Sequence, residues 1–210
     1  MEALSRRADI LVPDTASHET MSDLAASILS DLPQTFALAG HSMGGYVALE
    51  IMSQAAERVS KLALLSTSAR LDLEEVAQRR RDFITLAERG RFLGVSPGLF
   101  AVMVHEDRSH DANMLQIVQS MAQDIGAEGF GRQQKAILSR SDQRNICPSI
   151  SCPTLVLAGA HDAVVPFEAS DELARLIPHT SFVHLEGCGH LPTLEAPDDV
   201  TVALEKWLNI

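Results

Sequence analysis

Aromatic residues are scarce in this chain: seven Phe, one Trp and one Tyr among 210 residues, 4% in all. A surface for single-stranded nucleic acid needs stacking platforms, and so few rings argue against one. Basic residues are also under-represented, 17 Lys and Arg against 28 Asp and Glu, for a formal net charge of −11. That balance repels phosphate backbones and anionic lipid, so neither nucleic acid nor a membrane surface is an expected partner. Three cysteines, Cys147, Cys152 and Cys188, are too few and odd in number for a disulfide framework. No apolar run reaches the roughly 18 residues of a membrane span, and the first ten residues lack the apolar core of a secretory signal. The expectation is a reduced, cytoplasmic protein.

What is present is ordinary globular material, 46% hydrophobic and 21% charged, at a length that suits one domain with an insertion. The chain divides by rhythm. In its first part, Asp9–Pro13 is a short apolar run ending in a turn signal, and Met21, Leu24, Ala25, Ile28 and Leu29 share one helical face. Phe36–Ala39 is a second apolar run closed by Gly40, a helical segment through Tyr46–Met52 follows, and Leu62–Leu65 is a third run. Apolar runs alternating with helices predict parallel strands buried on both faces. Residues 69–146 contain no such run. Asp72 and Glu75 have capping-box spacing, and apolar residues from Leu73 to Met121 then recur at near-helical intervals. Arg79–Arg81, flanked by Glu74, Glu75 and Asp82, reads as a solvated helix face. The first rhythm resumes with a strand at Thr154–Ala158, a helix at Phe167–Ile177 behind Pro166, a strand at Ser181–Leu185 and a closing helix at 197–208. The expected fold class is α/β: an open, mostly parallel sheet flanked by helices, built from residues 1–68 and 147–210. A helical insertion over 69–146 interrupts it.

In such sheets chemistry gathers at the carboxyl ends of the strands. The first of these ends reads Gly40-His41-Ser42-Met43-Gly44-Gly45, between an apolar strand and a helix. A Gly-x-Ser-x-Gly turn in that context is a nucleophile elbow. Small residues at Gly40 and Gly44 make room for the turn, and the Met43 N–H stands where the helix dipole favours an oxyanion. The bland alternative is a glycine-rich turn packing a helix onto the sheet. Serine needs a base oriented by a third group. The second end, Gly159-Ala160-His161-Asp162, offers Asp162, which on its own is equally a turn aspartate. The third, Gly187-Cys188-Gly189-His190-Leu191-Pro192, offers His190 in a glycine-rich loop, where a lone histidine is usually a solvated surface residue. The chain order Ser42, Asp162, His190 is the order that accompanies this elbow.

These three stretches resemble the α/β-hydrolase superfamily in its lid-bearing branch. The third follows that family's habit of a histidine, a glutamate five residues on, then a proline: His190, Glu195 and Pro197. The resemblance spans the whole chain, the insertion only by position and helical character. It implies Ser42 as nucleophile, His190 as general base, Asp162 as the partner of His190 and the Met43 N–H as an oxyanion donor. It further implies a lid over 69–146, a small acyl substrate as partner, and neither a metal nor an organic cofactor. The chain is expected to act as a monomer or homodimer. A small carboxylic ester or lactone is the expected substrate. The same triad also serves C–C bond hydrolases and lyase-type reactions, and a weakly active ligand-binding scaffold is a further reading.

One family part has no counterpart. The early strand whose His-Gly loop supplies a second oxyanion donor precedes the Asp9 strand in that family, and nothing before residue 9 matches it. Three accounts stand: Met1 lies inside a longer protein, the chain is a degenerate copy, or the Asp9 strand pairs directly with the strand before Ser42. Other residues carry less. His41 suits packing or a hydrogen bond beneath the site, and His184 a structural place in a strand. Cys188 and His190 lack the partners of a metal site. Phe100, Met103 and Met121 fit either the core of the insertion or an apolar acyl pocket.

Overall fold

The computed structural model describes residues 2–209. A short helix α1 (Glu2–Ser5) precedes α2 (Met21–Asp31), strand β1 (Phe36–His41) leads into α3 (Met43–Ala55), and β2 (Val59–Leu65) follows. Next come α4 (Glu74–Glu88), α5 (Pro97–Met103) and α6 (Ala112–Ser139). The chain closes with β3 (Thr154–Gly159), α7 (Phe167–Leu176), β4 (Thr180–Leu185), α8 (Pro192–Glu195) and α9 (Pro197–Leu208). The four strands form one parallel sheet in the order β1-β2-β3-β4, the α/β class expected of alternating runs and helices.

Strand side chains alternate between faces, and both faces here are apolar. Leu62, Leu64 and Val156 point into a cluster with Leu24 and Ile28 of α2, Leu49 and Ile51 of α3 and Leu173 of α7. Their neighbours Ala63, Leu65, Leu155 and Leu157 point the other way, onto Val200, Leu204 and Trp207 of α9. Every residue of β3 is therefore buried, which is why that stretch reads as an unbroken apolar run rather than an alternating one. Each fully buried Leu contributes about 1.5–3 kcal/mol. Local signals set the helix starts: the Thr20 hydroxyl accepts from the Asp23 N–H at the head of α2. At the far end of α9, Lys61 Nζ donates to the carbonyls of Trp207 and Leu208, both at 2.9 Å.

Asp9–Pro13 forms no strand, contrary to its apolar run. Leu11 and Val12 are 61% and 71% exposed. A strand exists only as part of a ladder, and this segment joins none. Thr15 and Ala16, just after it, are tied instead to α6: Arg132 donates to the Ala16 carbonyl and Gln133 to the Thr15 hydroxyl. The direct pairing of this segment with the strand before Ser42 is thereby excluded. Among the described residues β1 lies at an edge of the sheet, paired to β2 alone, with Ala37 and Ala39 exposed.

Residues 69–146 carry three α-helices and no strand, and α6 breaks at Gly126, whose φ is 66°. Asp72 does not cap α4 as its spacing suggested: the N-cap is Leu73, with no side-chain cap. Two guanidiniums outcompete the backbone for this carboxylate. Arg80 Nε and an Arg140 terminal nitrogen each lie 2.7 Å from it. Arg80 also donates to Gln134, so the middle of the Arg79–Arg81 run is no solvated face, whereas Arg79 and Arg81 are exposed. Arg140 in turn lies over the Tyr46 ring of α3, 4.2 Å from its centroid. Burial disfavours the charge of Asp72, but hydrogen bonds from Arg140 and Arg80 outweigh it and hold the carboxyl below its ordinary value. The start and end of the helical segment are thus clamped together on the core.

Asp72→Ala leaves Arg140 charged, buried and without its anion, so a loss of about 3–5 kcal/mol in unfolding free energy is expected. Urea titration of both proteins measures it. A loss below about 1 kcal/mol, the range of a surface pair, would show that the clamp carries no strain of the fold.

Candidate active site

Ser42 lies between β1 and α3 with φ 52° and ψ −117°, a conformation that costs a non-glycine residue about 1–3 kcal/mol. Three hydrogen bonds hold it there: its N–H donates to Leu65, and its carbonyl accepts from the Gly45 N–H and the Thr67 hydroxyl. The glycines around it act differently from expectation. A Cβ at Gly40 would sit 2.2 Å from the Gly44 carbonyl oxygen, and one at Gly45 would strike Thr67 at 2.4 Å. A Cβ at Gly44 would meet nothing. Room at the elbow therefore depends on Gly40 and Gly45, not on Gly44 as the motif suggested. Met43 opens α3, so its N–H is among those a helix leaves without an intrahelical partner, at the positive end of the dipole.

Asp162 follows β3, and both readings of it hold at once. Its Oδ1 accepts from the N–H groups of Val164 and Val165, each at 2.8 Å, which is a turn aspartate's work. Its Oδ2 lies 2.8 Å from His190 Nδ1. His190 sits in the loop after β4, and its Nε2 is 2.9 Å from Ser42 Oγ. A carboxylate only accepts, so Nδ1 carries the hydrogen and Nε2 is left free to accept from the serine hydroxyl. The structure thus brings Ser42, His190 and Asp162 into one relay. Asp162 and His190 are buried, and Ser42 is half-buried. Gly159 permits the approach: a Cβ there would lie 2.1 Å from the Gly189 carbonyl oxygen.

His41 lies beneath the relay. Its Nε2–H donates to the His190 carbonyl at 2.7 Å, and the two rings are 5.2 Å apart. Burial first, then the neighbouring His190, lower its pKa from 6.5 to about 4. A neutral His41 does not compete with a charged His190.

Other candidates are settled by their surroundings. Burial and then Glu195 push the Cys188 thiol up to about 12, so it is no thiolate nucleophile. His161 lies edge-on to His105 at 4.6 Å, and His184 is exposed, 3.8 Å from Glu186. Phe100 is fully buried with Val104, Val118 and Leu191 in a core of its own, whereas Met121 is exposed. Among the described residues no group of His, Cys, Asp and Glu could hold a metal ion, and no helix is long and apolar enough to cross a membrane. Glu195 and the Met103–His105 stretch touch the His190 loop directly. Only the spacing of Glu195 from His190 hinted at this.

This geometry can be set beside known proteins. The chain is 25% identical over 201 residues to a pimeloyl-[acyl-carrier protein] methyl ester esterase of Vibrio parahaemolyticus, an alignment covering 86% of this chain and 73% of the relative. Among solved structures it is similar to a thermophilic esterase from Thermogutta terrifontis, with a TM-score of 0.80 and 30% identity, over 95% of this chain and 75% of the other. An enol-lactonase from Burkholderia xenovorans shares the fold, with a TM-score of 0.81 at 23% identity over 95% and 76% of the two chains. A model of the alpha/beta hydrolase family matches residues 1–204, nearly the whole chain. Elbow, relay and sheet order have a common explanation, which is that this chain belongs to the alpha/beta hydrolase family.

Proposed function

We propose that this chain hydrolyses a small carboxylic ester or lactone through an acyl-enzyme on Ser42, with residues 69–146 as a lid. The observation that carries this reading is the continuous relay from Ser42 Oγ through both ring nitrogens of His190 to Asp162, at 2.9 and 2.8 Å. His190 Nε2 takes the hydroxyl proton as Ser42 Oγ attacks the carbonyl carbon. The tetrahedral oxyanion forms against the Met43 N–H, and one such donor contributes about 3 kcal/mol to lowering the barrier. Asp162 holds the productive tautomer and stabilises the imidazolium, while His41 stays neutral beside it. The alcohol leaves with the proton from His190, and water activated at the same nitrogen clears the acyl group. No step calls for a metal or organic cofactor. The esterase names borne by two similar proteins support an ester as the substrate.

A fluorophosphonate probe and a panel of short p-nitrophenyl esters, with a vinylogous diketone beside them, test this. The wild type is expected to be labelled and to cleave the esters, and Ser42→Ala to do neither. An intact, folded wild type that resists the probe would favour a binding role, and cleavage of the diketone alone would move the assignment to C–C bonds.

Asp162→Asn is a sharper probe of the relay. Oδ1 keeps its two backbone donors, so the amide NH2 must face His190 Nδ1. That forces the hydrogen onto Nε2, which then cannot accept from Ser42. A fall in kcat of about 10⁴ is expected, with Tm within a few degrees of the wild type. A milder fall, below tenfold, contradicts the assigned tautomer.

His41 supplies a pH dependence of stability. Its ring binds a proton near pH 6.5 when unfolded and near 4 when folded, so between those values the unfolded chain holds the extra proton. The contribution is complete above about pH 6.5 and falls away as pH drops towards 4, by about 3 kcal/mol in all. His41→Asn, which keeps a donor for the His190 carbonyl, is expected to flatten the decline in unfolding free energy between pH 7 and pH 4.5. Parallel declines in the two proteins would show that His41 is not the group responsible.

A further inference from the structure

The loop that holds the base is fastened from an unexpected direction. Glu195, the last residue of α8, is buried, and its carboxylate accepts backbone N–H groups from two segments of the chain. Oε1 accepts from Gly189 at 3.1 Å and Leu191 at 3.0 Å, the two neighbours of His190. Oε2 accepts from Gly189 at 3.0 Å and, at 2.7 Å, from the N–H of His105. His105 lies just beyond α5, in the helical segment, 90 positions away in the chain. The His190 N–H completes the connection by donating to the Met103 carbonyl at 2.8 Å. Three consecutive N–H groups, at Gly189, His190 and Leu191, are therefore committed either to Glu195 or to α5.

The two segments also meet backbone to backbone. A Cβ at Gly189 would lie 2.7 Å from the Val104 carbonyl carbon and 2.8 Å from the His105 nitrogen. The His105 ring, edge-on to His161, reaches the loop of Asp162 as well. The stretch Met103–His105 thus touches both the base loop and the acid loop.

We propose that Glu195 is a positioning residue that couples the seating of Met103–His105 to the alignment of His190 between Asp162 and Ser42. This rests on the relay's role in the proposed function. A carboxylate suits the place because it offers lone pairs on two oxygens and no donor. It can gather N–H groups from two segments at once, whereas an amide turns one of those positions into a donor facing a donor. Misplacing a reacting group by about 1 Å costs on the order of 10²-fold in rate, so a strap on both neighbours of His190 acts on turnover without contacting substrate.

The test compares wild type, Glu195→Gln and His105→Pro. Proline removes the one N–H that the helical segment gives to Glu195. The backbone there already suits it, with φ −58° at His105 and an extended Val104 before it. Fluorophosphonate titration counts reactive Ser42 sites, ester kinetics give kcat per titrated site and KM, and proton NMR follows the low-field Nδ1–H signal of His190. That signal is assigned by its absence in Asp162→Asn. Both variants are expected to lose on the order of 10²-fold in kcat per site, with KM changed less than about threefold, and to shift or broaden the Nδ1–H signal. A merely structural role would lower Tm or the titrated fraction while leaving kcat per site and the resonance unmoved, and that result overturns the proposal. If Glu195→Gln does not fold, His105→Pro decides alone. If the wild type cleaves no ester, the functional reading fails, and the resonance in the variants still decides whether Glu195 positions His190.

Discussion

A carboxylate can accept hydrogen bonds but never donate one, and at Asp162 this asymmetry orders the whole site. One oxygen is saturated by Val164 and Val165, which fixes the rotation of the side chain. The other then has a single direction in which to face, and it finds His190 Nδ1. The ring's remaining nitrogen is thereby left as an acceptor towards Ser42. Everything else at the strand ends serves this arrangement. Gly159 lets the base loop lie against the end of β3, and Gly40 and Gly45 let the strained serine turn close.

The core and the relay were legible in the sequence for a shared reason. Parallel strands covered on both faces must be apolar there, so β3 and the Leu62–Leu65 stretch of β2 announce themselves as unbroken runs. The carboxyl ends of β1 and β3 and the loop after β4 are then marked by glycines at 40, 159 and 189, where two backbones approach too closely for a Cβ. What failed to read correctly depends on partners distant in the chain. Asp9–Pro13 has the composition of a strand and no ladder to join. Asp72 has the spacing of a cap, but Arg140 lies 68 residues away and outcompetes the local backbone. Gly44 fits the motif while Gly45 meets the obstacle, because Thr67 comes from just past the end of the strand next door.

The serine is displayed from an edge strand. In β1 only one side of the backbone is paired, and Ala37 and Ala39 face solvent. An edge strand is held less firmly than an interior one, so the elbow depends on other ties. They come from β2, through the Ser42 N–H to Leu65, and from Thr67 just beyond it. Burial of α3 against α2 through Leu49, Ile51, Leu24 and Ile28 supports the turn from behind. The strain at Ser42 is held by Leu65 at the end of β2, by Thr67 just beyond it and by Gly45 of α3.

The helical segment is held at two places of different character. At its base Asp72, Arg80 and Arg140 bind side chain to side chain, with an aromatic ring of the core beneath. At Met103–His105 the contact is backbone to backbone, gathered by Glu195 around the base itself. The first anchor joins the segment to the fold, and the second joins it to the chemistry. If the segment serves as the proposed lid, lifting the whole of it would free the His190 N–H from the Met103 carbonyl and draw the His105 N–H away from Glu195. Under that proposed role, an opening confined to the stretch between the anchors leaves both sets of bonds intact. That stretch contains the break of α6 at Gly126 and the exposed Leu93 and Met121. The two anchors therefore set different demands on the segment: the first is met by side chains of the fold, the second by the backbone around His190.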